Sequence, residues 1–371
     1  MAGREIAMSV LVFNAGSSTL KYALFAKDTF AELASGVIDW SNDTSAGIDQ
    51  VLSDPAVKAS PPSAVGHRVV HGGTKFQQSA RITPEAKAAL EALTKLAPLH
   101  NPPALKAITA AEHALPGVPQ IAVFDTAFFA NLPPSQHVYP APYDWHTQYG
   151  IRRFGFHGIS HEYCASRAAE MLGRADARIV VCHMGNGCSA SAVRGREPIA
   201  TTMGYTPMEG LMMGTRSGSI DPGILLAMQR DHGLNPQALD EALNKRSGLL
   251  GVSGVSSDYR KVEAAAAAGD ERARLALEIF AARLRSEIGA LAVTLGGIDA
   301  LVFTAGIGEH AASLRAAVCP NLACLGVKLD PALNASSKPD ADIAAKDSAV
   351  RVFVIHTREE LLIAREAARL M

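Results

Sequence analysis

The 371-residue chain has no excess of charge of either sign and no long apolar run. Its 35 basic and 36 acidic side chains nearly cancel, so it lacks the electrostatic attraction on which most nucleic-acid and membrane-surface binders depend. No stretch reaches the roughly 18 consecutive apolar residues of a membrane span, and the apolar run at residues 8–13 is too short for a signal-peptide core. We therefore expect a cytoplasmic protein that binds neither nucleic acid nor a membrane.

Paired cysteines and two common nucleotide-binding motifs are missing as well. The five cysteines are odd in number and form no C-x-x-C pair, which disfavours a disulfide framework and a thiolate zinc site. Neither the phosphate-loop pattern G-x-x-x-x-G-K-S/T nor the dinucleotide pattern G-x-G-x-x-G occurs. His157 and His161 lack the intervening Glu of H-E-x-x-H, so a zinc hydrolase is disfavoured too.

The sequence contains the same local pattern three times, an apolar run followed by a bend of small residues. The runs cover 10–25, 178–193 and 299–310. The first two continue beyond the bend into a second alternating run, which predicts a β-hairpin in each. Two matching hairpins about half a chain apart favour a duplicated α/β domain, with the two bends facing each other across a cleft.

Helical patterns lie between these runs and after them, and the alternation of strands with helices indicates an α/β protein. Ser160 is the predicted cap of one helix. The predicted helices are 84–97, 160–172, 270–295 and, after a closing strand at 350–355, 358–370. The Pro-rich segment 132–142 is a candidate linker between the halves, and 336–348 is predicted to be a polar surface loop.

The first bend carries groups that bind phosphate. Its glycine can adopt backbone angles closed to other residues, the hydroxyls of Ser17 and Thr19 can donate to phosphate oxygens, and Lys21 adds a positive charge. The bends at 183–189 and 306–309 are small-residue turns of the same kind. The alternative for each is an ordinary tight turn, but their repetition on matching strand-turn units favours phosphate binding.

Basic side chains in glycine- and proline-rich loops form a second set of candidates. Arg68 and Arg216 lie at predicted strand ends or beside glycines, where α/β proteins bind ligands. A lone arginine or histidine is usually structural. Two arginines, a lysine and several histidines around phosphate bends would supply the positive charge that phosphoryl transfer requires.

Ten sequence blocks occur in the order found in acetate kinases, between residues 10 and 365. They are NAGSSTLKY, GHRVVHGG, LAPLHNPP, VFDTAFF, RRFGFHGISH, CHMGNGCS, GYTPMEGLMMGTRSGSIDPG, GVSSDYR, FTAGIGEH and TREELLIA. The chain therefore resembles the acetate kinase family, which belongs to the acetate and sugar kinase, heat-shock cognate and actin superfamily. The resemblance implies an α/β protein of two duplicated actin-like (ribonuclease H-like) domains with an active-site cleft between them. The implied domains are 1–140 plus 358–371 and 141–357.

The resemblance also implies an activity. It is the reversible, Mg²⁺-dependent transfer of a phosphoryl group from ATP to acetate, which gives ADP and acetyl phosphate by direct in-line transfer. Mn²⁺ is an alternative metal, and the family suggests a cytoplasmic homodimer that takes part in acetyl-CoA biosynthesis. Propionate or butyrate kinase activity is the alternative within the family. A nucleotide-dependent binding module without a carboxylate acceptor is the alternative from another class.

By motif, the resemblance assigns roles to residues of this chain. The implied catalytic residues are Asp125, Arg68, Arg216 and His157. The implied acyl-binding residues are Arg68, Val70, Leu99, Phe156 and Pro207. The implied metal-site residues are Asn14 and Glu359. The implied phosphate- and nucleotide-binding residues are Ser17, Thr19, Lys21, His100, His183, Gly185, Asn186, Gly187, Asp258, Tyr259, Arg260, Gly306, Ile307, Gly308 and His310.

Three positions depart from the family pattern. Ser219 stands where acetate kinases usually have Asp after the GTRSG motif, so one acidic group is missing beside Arg216. Phe129 stands where a His commonly follows FDTAF, and His310 replaces a common Asn after GIGE. None of these changes removes an implied catalytic residue.

Overall fold

The computed structural model describes residues 8–16, 18–40, 43–97 and 100–371. Two candidate site residues, Ser17 and Leu99, lie outside the described residues. The described residues form two compact units, the first within Met1–Asn131, Phe156–Ile159 and Arg358–Met371, the second within Leu132–Gly155 and Ser160–Thr357. The domain bounds implied by the family resemblance, and the cleft between the domains, stay predictions.

Twelve strands and sixteen α-helices are found in the described residues. The strands are β1 (Ser9–Ala15), β2 (Thr19–Ala26), β3 (Glu32–Asp39), β4 (Pro62–Val69), β5 (Ala80–Arg81), β6 (Gln120–Phe124), β7 (Arg178–Met184), β8 (Cys188–Arg194), β9 (Glu197–Thr201), β10 (Ala300–Thr304), β11 (Ala341–Asp342) and β12 (Arg351–Val354). The helices are α1 (Thr44–Leu52), α2 (Pro55–Ala59), α3 (Pro84–Ala92), α4 (Asn101–Ala114), α5 (Pro134–His137), α6 (Tyr143–Tyr149), α7 (Gly158–Leu172), α8 (Pro222–His232), α9 (Pro236–Lys245), α10 (Gly248–Ser253), α11 (Tyr259–Ala267), α12 (Glu271–Leu295), α13 (Ala305–His310), α14 (Ala312–Val318), α15 (Pro331–Ser336) and α16 (Glu359–Arg369).

The sheet of the first unit has the order β3-β2-β1-β4-β6-β5. Strand β1 pairs antiparallel with β2 and parallel with β4, which in turn is parallel to β6. Alternate residues of β1 face opposite sides of the sheet, and both sides are buried. Leu11 packs in the cluster that includes α1 and α4, whereas Val12 packs with α16. This double burial explains why the run reads as continuously apolar rather than alternating.

The sheet of the second unit repeats this arrangement, with the order β11-β12-β10-β7-β8-β9. Strand β7 pairs antiparallel with β8 and parallel with β10, just as β1 pairs with β2 and β4. The 25-residue helix α12 packs on β8 and buries Phe280, Leu284 and Ile288. Both predicted hairpins, and the duplicated α/β plan they suggested, are confirmed.

Two predicted features at functional segments are wrong. The bend predicted at 306–309 is the short helix α13, because Ala305 adopts a left-handed φ of 63° and turns the chain into a helix directly after β10. Ser160 is not a helix cap, because α7 already begins at Gly158. Ser160 is instead fully buried, and its hydroxyl contacts Thr357 and His183.

Two structural predictions need smaller corrections. The segment 336–348 is not only a surface loop, because β11 pairs antiparallel with β12 and buries Ile343 beside it. The helix predicted over 84–97 ends at Ala92 and continues as the 3₁₀ turn Leu93–Lys95. The predicted bounds of α12 and α16 agree with the structure to within a residue at each end. In the part of the chain that the structure describes, no helix is both long and apolar enough to cross a bilayer.

Buried neutral histidines make the first unit sensitive to acid. Burial lowers the pKa of His67 and of His71 to about 4. Because the unfolded chain takes up protons below about pH 6.5 and the folded histidine does not, stability is lost as the pH falls toward 4. For His67 the loss between about pH 8 and pH 5 is roughly 2 kcal/mol.

We therefore expect the urea midpoint to fall between pH 8 and pH 5. The His67→Asn variant, which can still hydrogen-bond to Gln120, should show a smaller fall. His113→Asn, at an exposed position of α4, is the matched control and should behave like the wild type. A pH dependence unchanged by His67→Asn would contradict this explanation.

Candidate active site

Arg68 and Asp125 form an ion pair at one edge of the first sheet. Arg68 is the penultimate residue of β4, and Asp125 directly follows β6, its parallel neighbour. Nε of Arg68 donates to Oδ1 of Asp125 at 3.1 Å, and Nη2 donates to Oδ2 at 2.6 Å. The backbone N–H of Asp125 also donates to the carbonyl of Val69 at 3.0 Å. This bidentate geometry fixes the plane of the guanidinium.

Two further side-chain oxygens lie near the remaining nitrogen of the same guanidinium, Nη1. Nη1 of Arg68 donates to Oδ1 of Asn14 at 3.3 Å and lies 3.9 Å from Oε2 of Glu359. Asn14 is near the end of β1, beside β4, and Glu359 is the first residue of α16. Residues far apart in the chain therefore meet because β1, β4 and β6 end at one edge of the sheet.

The electrostatics of this cluster follow from its burial. Burial opposes the charge of Arg68, but the carboxylates of Asp125 and Glu359 outweigh it and raise the pKa of Arg68. Burial also raises the pKa of Glu359 to about 7, against the lowering effect of Arg68 and, more weakly, of Lys21. Lys21 lies opposite Asn14 in the register of the first hairpin. The first unit thus gathers three of its candidate catalytic and metal-site residues around one arginine.

The oxygens around Arg68 are of the kind that Mg²⁺ prefers. Asn14 offers an amide oxygen, and Asp125 and Glu359 offer carboxylates. Within the described residues, no group of three or more His, Cys, Asp or Glu side chains is placed to hold a metal by itself. Mg²⁺ usually keeps several waters and takes other ligands from a bound phosphate, so a small protein ligand set fits this ion.

The loop before α7 is pressed against Asp125. The N–H of Gly158 donates to the carbonyl of Asp125 at 2.9 Å, and a Cβ at this position would lie 2.2 Å from the same oxygen. Only glycine permits this approach. His157 precedes it with a φ of 58°, in the left-handed region. The structure therefore places the backbone of His157 next to Asp125.

Two candidate acyl-binding residues of the first unit, Val70 and Phe156, lie next to His71. The buried ring of Phe156 packs edge-on against the His71 ring, with 5.4 Å between the ring centroids. Val70 directly precedes His71 in the chain. The N–H of His71 donates to Oδ1 of Asn101 at 3.1 Å, which brings in the residue that follows His100. Phe156 therefore contacts the residue that follows Val70, and His100 precedes the hydrogen-bond partner of that same residue.

The second unit holds a pocket of about 420 Å³. It unites three segments that the sequence analysis had linked to nucleotide binding, 185–186, 258–260 and 306–310. Its lining residues are Gly185, Asn186, Asp258, Tyr259, Arg260, Glu263, Gly306, Ile307, His310 and Ala311. Glu263 and Ala311 were not among the site residues predicted from the sequence. The signal for Glu263 was its spacing, because a residue four positions after Tyr259 lies on the same face of α11.

Local hydrogen bonds hold the lining segments in their conformations. Asp258 caps α11 by accepting the N–H of Arg260 at 3.0 Å and pairs with its side chain at 2.7 Å. The hydrogen bond from Arg260 lowers the pKa of Asp258. The N–H of Gly185 donates to the carbonyl of Gly187 at 3.0 Å and closes the second hairpin bend.

Three candidate phosphate- and nucleotide-binding residues of the second unit do not line this pocket in the described structure. His183 is buried, with Nδ1 2.8 Å from the hydroxyl of Ser160. The carbonyl of Gly308 accepts from Arg315 at 2.7 Å. Gly187 contributes its carbonyl to the closed bend. Their assigned role in phosphate binding stays a prediction.

Arg216 lies on a loop that is tied to the second hairpin bend. Its Nη1 donates to the carbonyl of Pro207 at 3.0 Å, and the N–H of Gly214 donates to the carbonyl of Asn186 at 3.0 Å. Burial lowers the pKa of Arg216. Among the described residues no carboxylate pairs with Arg216, which agrees with the acidic group expected to be missing at Ser219. Instead, the Ser219 hydroxyl accepts the N–H of Gly210 at 3.0 Å and closes the loop.

Comparison with known proteins decides the family. The model of the acetokinase family matches residues 56–365. The chain belongs to the acetokinase family. An acetate kinase of Gloeobacter violaceus is 50% identical and covers 97% of this chain and 98% of its own, and one of Nostoc punctiforme is 48% identical over 98% and 100%. The resemblance inferred from the ten sequence blocks is therefore confirmed.

Solved structures of the acetokinase family share the whole fold. The acetate kinase of Porphyromonas gingivalis superposes with a TM-score of 0.91 at 41% identity and covers 98% of this chain and 100% of its own. A propionate kinase of Francisella tularensis gives 0.91 at 38% identity, with the same coverage. The expected α/β fold with its two duplicated actin-like parts is confirmed.

The close approach at Gly158 gives a prediction for stability. Gly158→Ala should lower the free energy of unfolding by about 3 kcal/mol, because a methyl group cannot fit against the carbonyl of Asp125. Gly289→Ala, in the middle of α12 with nothing within 4 Å of the added atom, should raise it by about 0.5–1 kcal/mol. Urea unfolding monitored by circular dichroism measures both. Equal midpoints for the two variants would rule out the tight contact.

Proposed function

We propose that the protein is an acetate kinase, which transfers the terminal phosphoryl group of ATP to acetate and forms acetyl phosphate and ADP reversibly. The observation that carries this proposal is the cluster of Asn14, Asp125 and Glu359 around the Arg68 guanidinium. It occurs in a chain that is about half identical to acetate kinases along its whole length. A guanidinium held by a carboxylate and flanked by oxygen ligands suits a reaction between two anions.

The chemistry requires little from the protein beyond positioning and charge. A carboxylate is already ionised at neutral pH, so acetate needs no general base to attack phosphorus. The protein must hold two anions in line and offset their repulsion. Arg68 and Arg216 are the proposed cations for this task, with His157 as a contact to the phosphoryl oxygens.

Asp125 is the proposed orienting group. Its carboxylate is 1% exposed and holds Nε and Nη2 of Arg68, which directs the remaining nitrogen, Nη1, toward Asn14 and Glu359. The orientation costs no rearrangement during the reaction because the bidentate pair is already in place. Asn14 and Glu359 are the proposed holders of Mg²⁺, which when bound would neutralise phosphate charge.

The pocket of the second unit is the proposed nucleotide site. Its volume of about 420 Å³ suits a nucleoside, and small ligands generally bind in concave pockets of this kind. The exposed residue Asn186, at the tip of the second hairpin bend, is the proposed contact to phosphate, together with Thr19 and Lys21 in the first hairpin. Asp258, Tyr259, Gly306 and Ile307 surround the proposed adenosine position.

The proposed acyl pocket comprises Val70, Leu99, Phe156 and Pro207. Burying one methylene group in such a pocket changes the free energy by only about 1–3 kcal/mol, so propionate and butyrate are alternative substrates. The similarity to a propionate kinase of Francisella tularensis at 38% identity supports including them. By family resemblance we also propose a cytoplasmic homodimer, which light scattering coupled to gel filtration would test.

Trapping of the acyl phosphate tests the proposal. The protein is incubated with ATP, Mg²⁺ and hydroxylamine together with acetate, propionate or butyrate, and the hydroxamate is measured over a range of concentrations. We expect hydroxamate formation that requires ATP, carboxylate and Mg²⁺, with the highest kcat/KM for acetate. Hydrolysis of ATP at a rate indifferent to added carboxylate would refute the proposal, and a higher kcat/KM for propionate would reassign the substrate.

A further inference from the structure

A buried carboxylate that the proposed mechanism does not use is carried by the same helix that lines the nucleotide pocket. Glu309 is on α13, between Gly308 and His310, and is 6% exposed. Its neighbours Ile307 and His310 line the pocket, whereas Glu309 is not among the lining residues of the described structure. A buried carboxylate is costly unless it has partners, so its contacts indicate what it holds.

The Glu309 carboxylate joins α13 to the segment that follows β12. The N–H of Thr357 donates to Oε1 at 3.2 Å, and Nδ1 of His356 lies 2.7 Å from Oε2. Both carboxylate oxygens are therefore engaged by two consecutive residues of another chain segment. The two contacting residues, Glu309 and His356, are more than forty positions apart in the chain. The contact is therefore tertiary and does not follow from local sequence.

The same segment is also linked by hydrogen bonds to the strand that precedes a second lining segment of the pocket, residues 185–186. The hydroxyl of Thr357 donates to that of Ser160 at 2.9 Å, and the Ser160 hydroxyl lies 2.8 Å from Nδ1 of His183. His183 is two residues before Gly185, which lines the pocket. Through Thr357 and Ser160, Glu309 thus connects two lining segments, 306–310 and 185–186, that follow different strands, β10 and β7.

Helix α13 needs such support because it is short and starts from a strained residue. It has six residues, and Ala305 at its beginning has a φ of 63°, a conformation that costs an L-residue energy. The carbonyls of Gly308 and Glu309 accept from Nη1 of Arg315 at 2.7 and 3.0 Å. Arg315 therefore fixes the backbone of the helix, and the Glu309 side chain fixes it to a second segment.

We propose that Glu309 is a positioning residue for nucleotide binding, which holds α13 in place by anchoring it to His356 and Thr357. The inference deepens the proposed function and rests on it, since it concerns the pocket assigned to ATP and ADP. Loss of the anchor lets α13 shift and misplaces Ile307 and His310, while the groups around Arg68 are unaffected. Loss of the anchor therefore weakens the affinity for the nucleotide and leaves the affinity for the carboxylate substrate unchanged.

Titration of the full-length protein with ADP by calorimetry tests the proposal. Glu309→Ala should raise the Kd for ADP, and the KM for ATP, by about tenfold or more. The KM for acetate should stay within about twofold and kcat at saturating ATP within about threefold. Glu309→Gln retains an oxygen that can accept from Thr357 and should stay within about threefold of the wild type for ADP, a rescue that a loss of general stability would not produce.

Asp299→Ala is the matched control. Asp299 directly precedes β10, whereas Glu309 lies in the helix after it. Like Glu309, Asp299 accepts a backbone N–H, that of Arg178 at 2.8 Å, and it also pairs with the Arg178 side chain. It lies at the opposite end of β10 from the lining residues of α13, and its replacement should lower thermal stability without changing the Kd for ADP by more than about twofold. A purely structural role for Glu309 would give the same result as this control.

Two outcomes overturn the inference. One is an unchanged Kd for ADP in folded Glu309→Ala, and the other is equal weakening by the Ala and Gln variants. If Glu309→Ala does not fold, His356→Ala decides, because His356 is exposed and its loss should raise the Kd for ADP about threefold; an unchanged Kd overturns the inference. A wild type that binds ADP but forms no hydroxamate refutes the proposed acetate kinase activity, and the ADP titrations still decide the role of Glu309.

Discussion

Replacement of Arg216 by alanine should lower kcat by about 10³- to 10⁵-fold and leave ADP affinity within about threefold of the wild type. Arg216 donates to the carbonyl of Pro207 and has no carboxylate partner in the described structure, so its charge is not neutralised before substrate binds. Such a cation interacts most strongly with the charge that develops on the transferred phosphoryl group. Its loss therefore affects the transition state more than the ground state.

The measurement is steady-state hydroxamate formation together with ADP titration. Arg216→Lys separates charge from geometry, because an ammonium keeps the charge but cannot bridge two oxygens in a plane. It should recover only part of the lost rate. Arg230→Ala is the matched control in the same unit, since Arg230 is exposed near the end of α8 and pairs with its chain neighbour Asp231. Near-normal turnover of Arg216→Ala would refute the assigned role.

Replacement of Asp125 by asparagine should lower kcat by about 100-fold or more and raise the KM for acetate. The amide would keep the shape of the side chain but remove the charge that holds Nε and Nη2 of Arg68, and a small misplacement of a catalytic group costs about this much. The partly buried Arg68 would also lose its main counter-charge, and the buried Asp125 site its ion pair, so the free energy of unfolding should fall by about 3 kcal/mol.

Kinetics and urea unfolding of the same preparations measure both effects. The affinity for ADP should stay within about twofold, because the residues of the nucleotide pocket belong to the second unit. Asp342→Asn is the control, since Asp342 pairs with Arg351 at 2.6 Å in an ion pair of the same kind that is more exposed and belongs to the second unit. It should change stability without changing kcat. Normal kcat and normal KM in the Asp125→Asn variant would show that the pair has no role in transfer.

Much of this description could be predicted from local sequence. The hairpins of β1 with β2 and of β7 with β8 were visible because alternation and small-residue bends are local properties. The long helix α12 was visible because its Asp270 cap and apolar spacing are local too. The family could be recognised because its chemistry places specific residues in short motifs.

Other features depend on contacts between distant segments. Helix α13 was predicted to be a bend, because glycine-rich sequence does not reveal that Arg315 and the segment at 356–357 support a helix there. Ser160 looked like a helix cap, because its burial against His183 and Thr357 comes from elements far apart in the chain. Glu309 carries no local sign of its role for the same reason.

The sequence by itself determined the α/β class, the repeated hairpin and the identity of the charged residues, since these follow from periodicity, turn chemistry and motif. Only the tertiary structure decided that Asn14, Asp125 and Glu359 share one guanidinium, and that three remote segments line one pocket. The physical reason is strand order. Placing β4 between β1 and β6 brings their ends together, and no local property of the chain specifies which strands become neighbours.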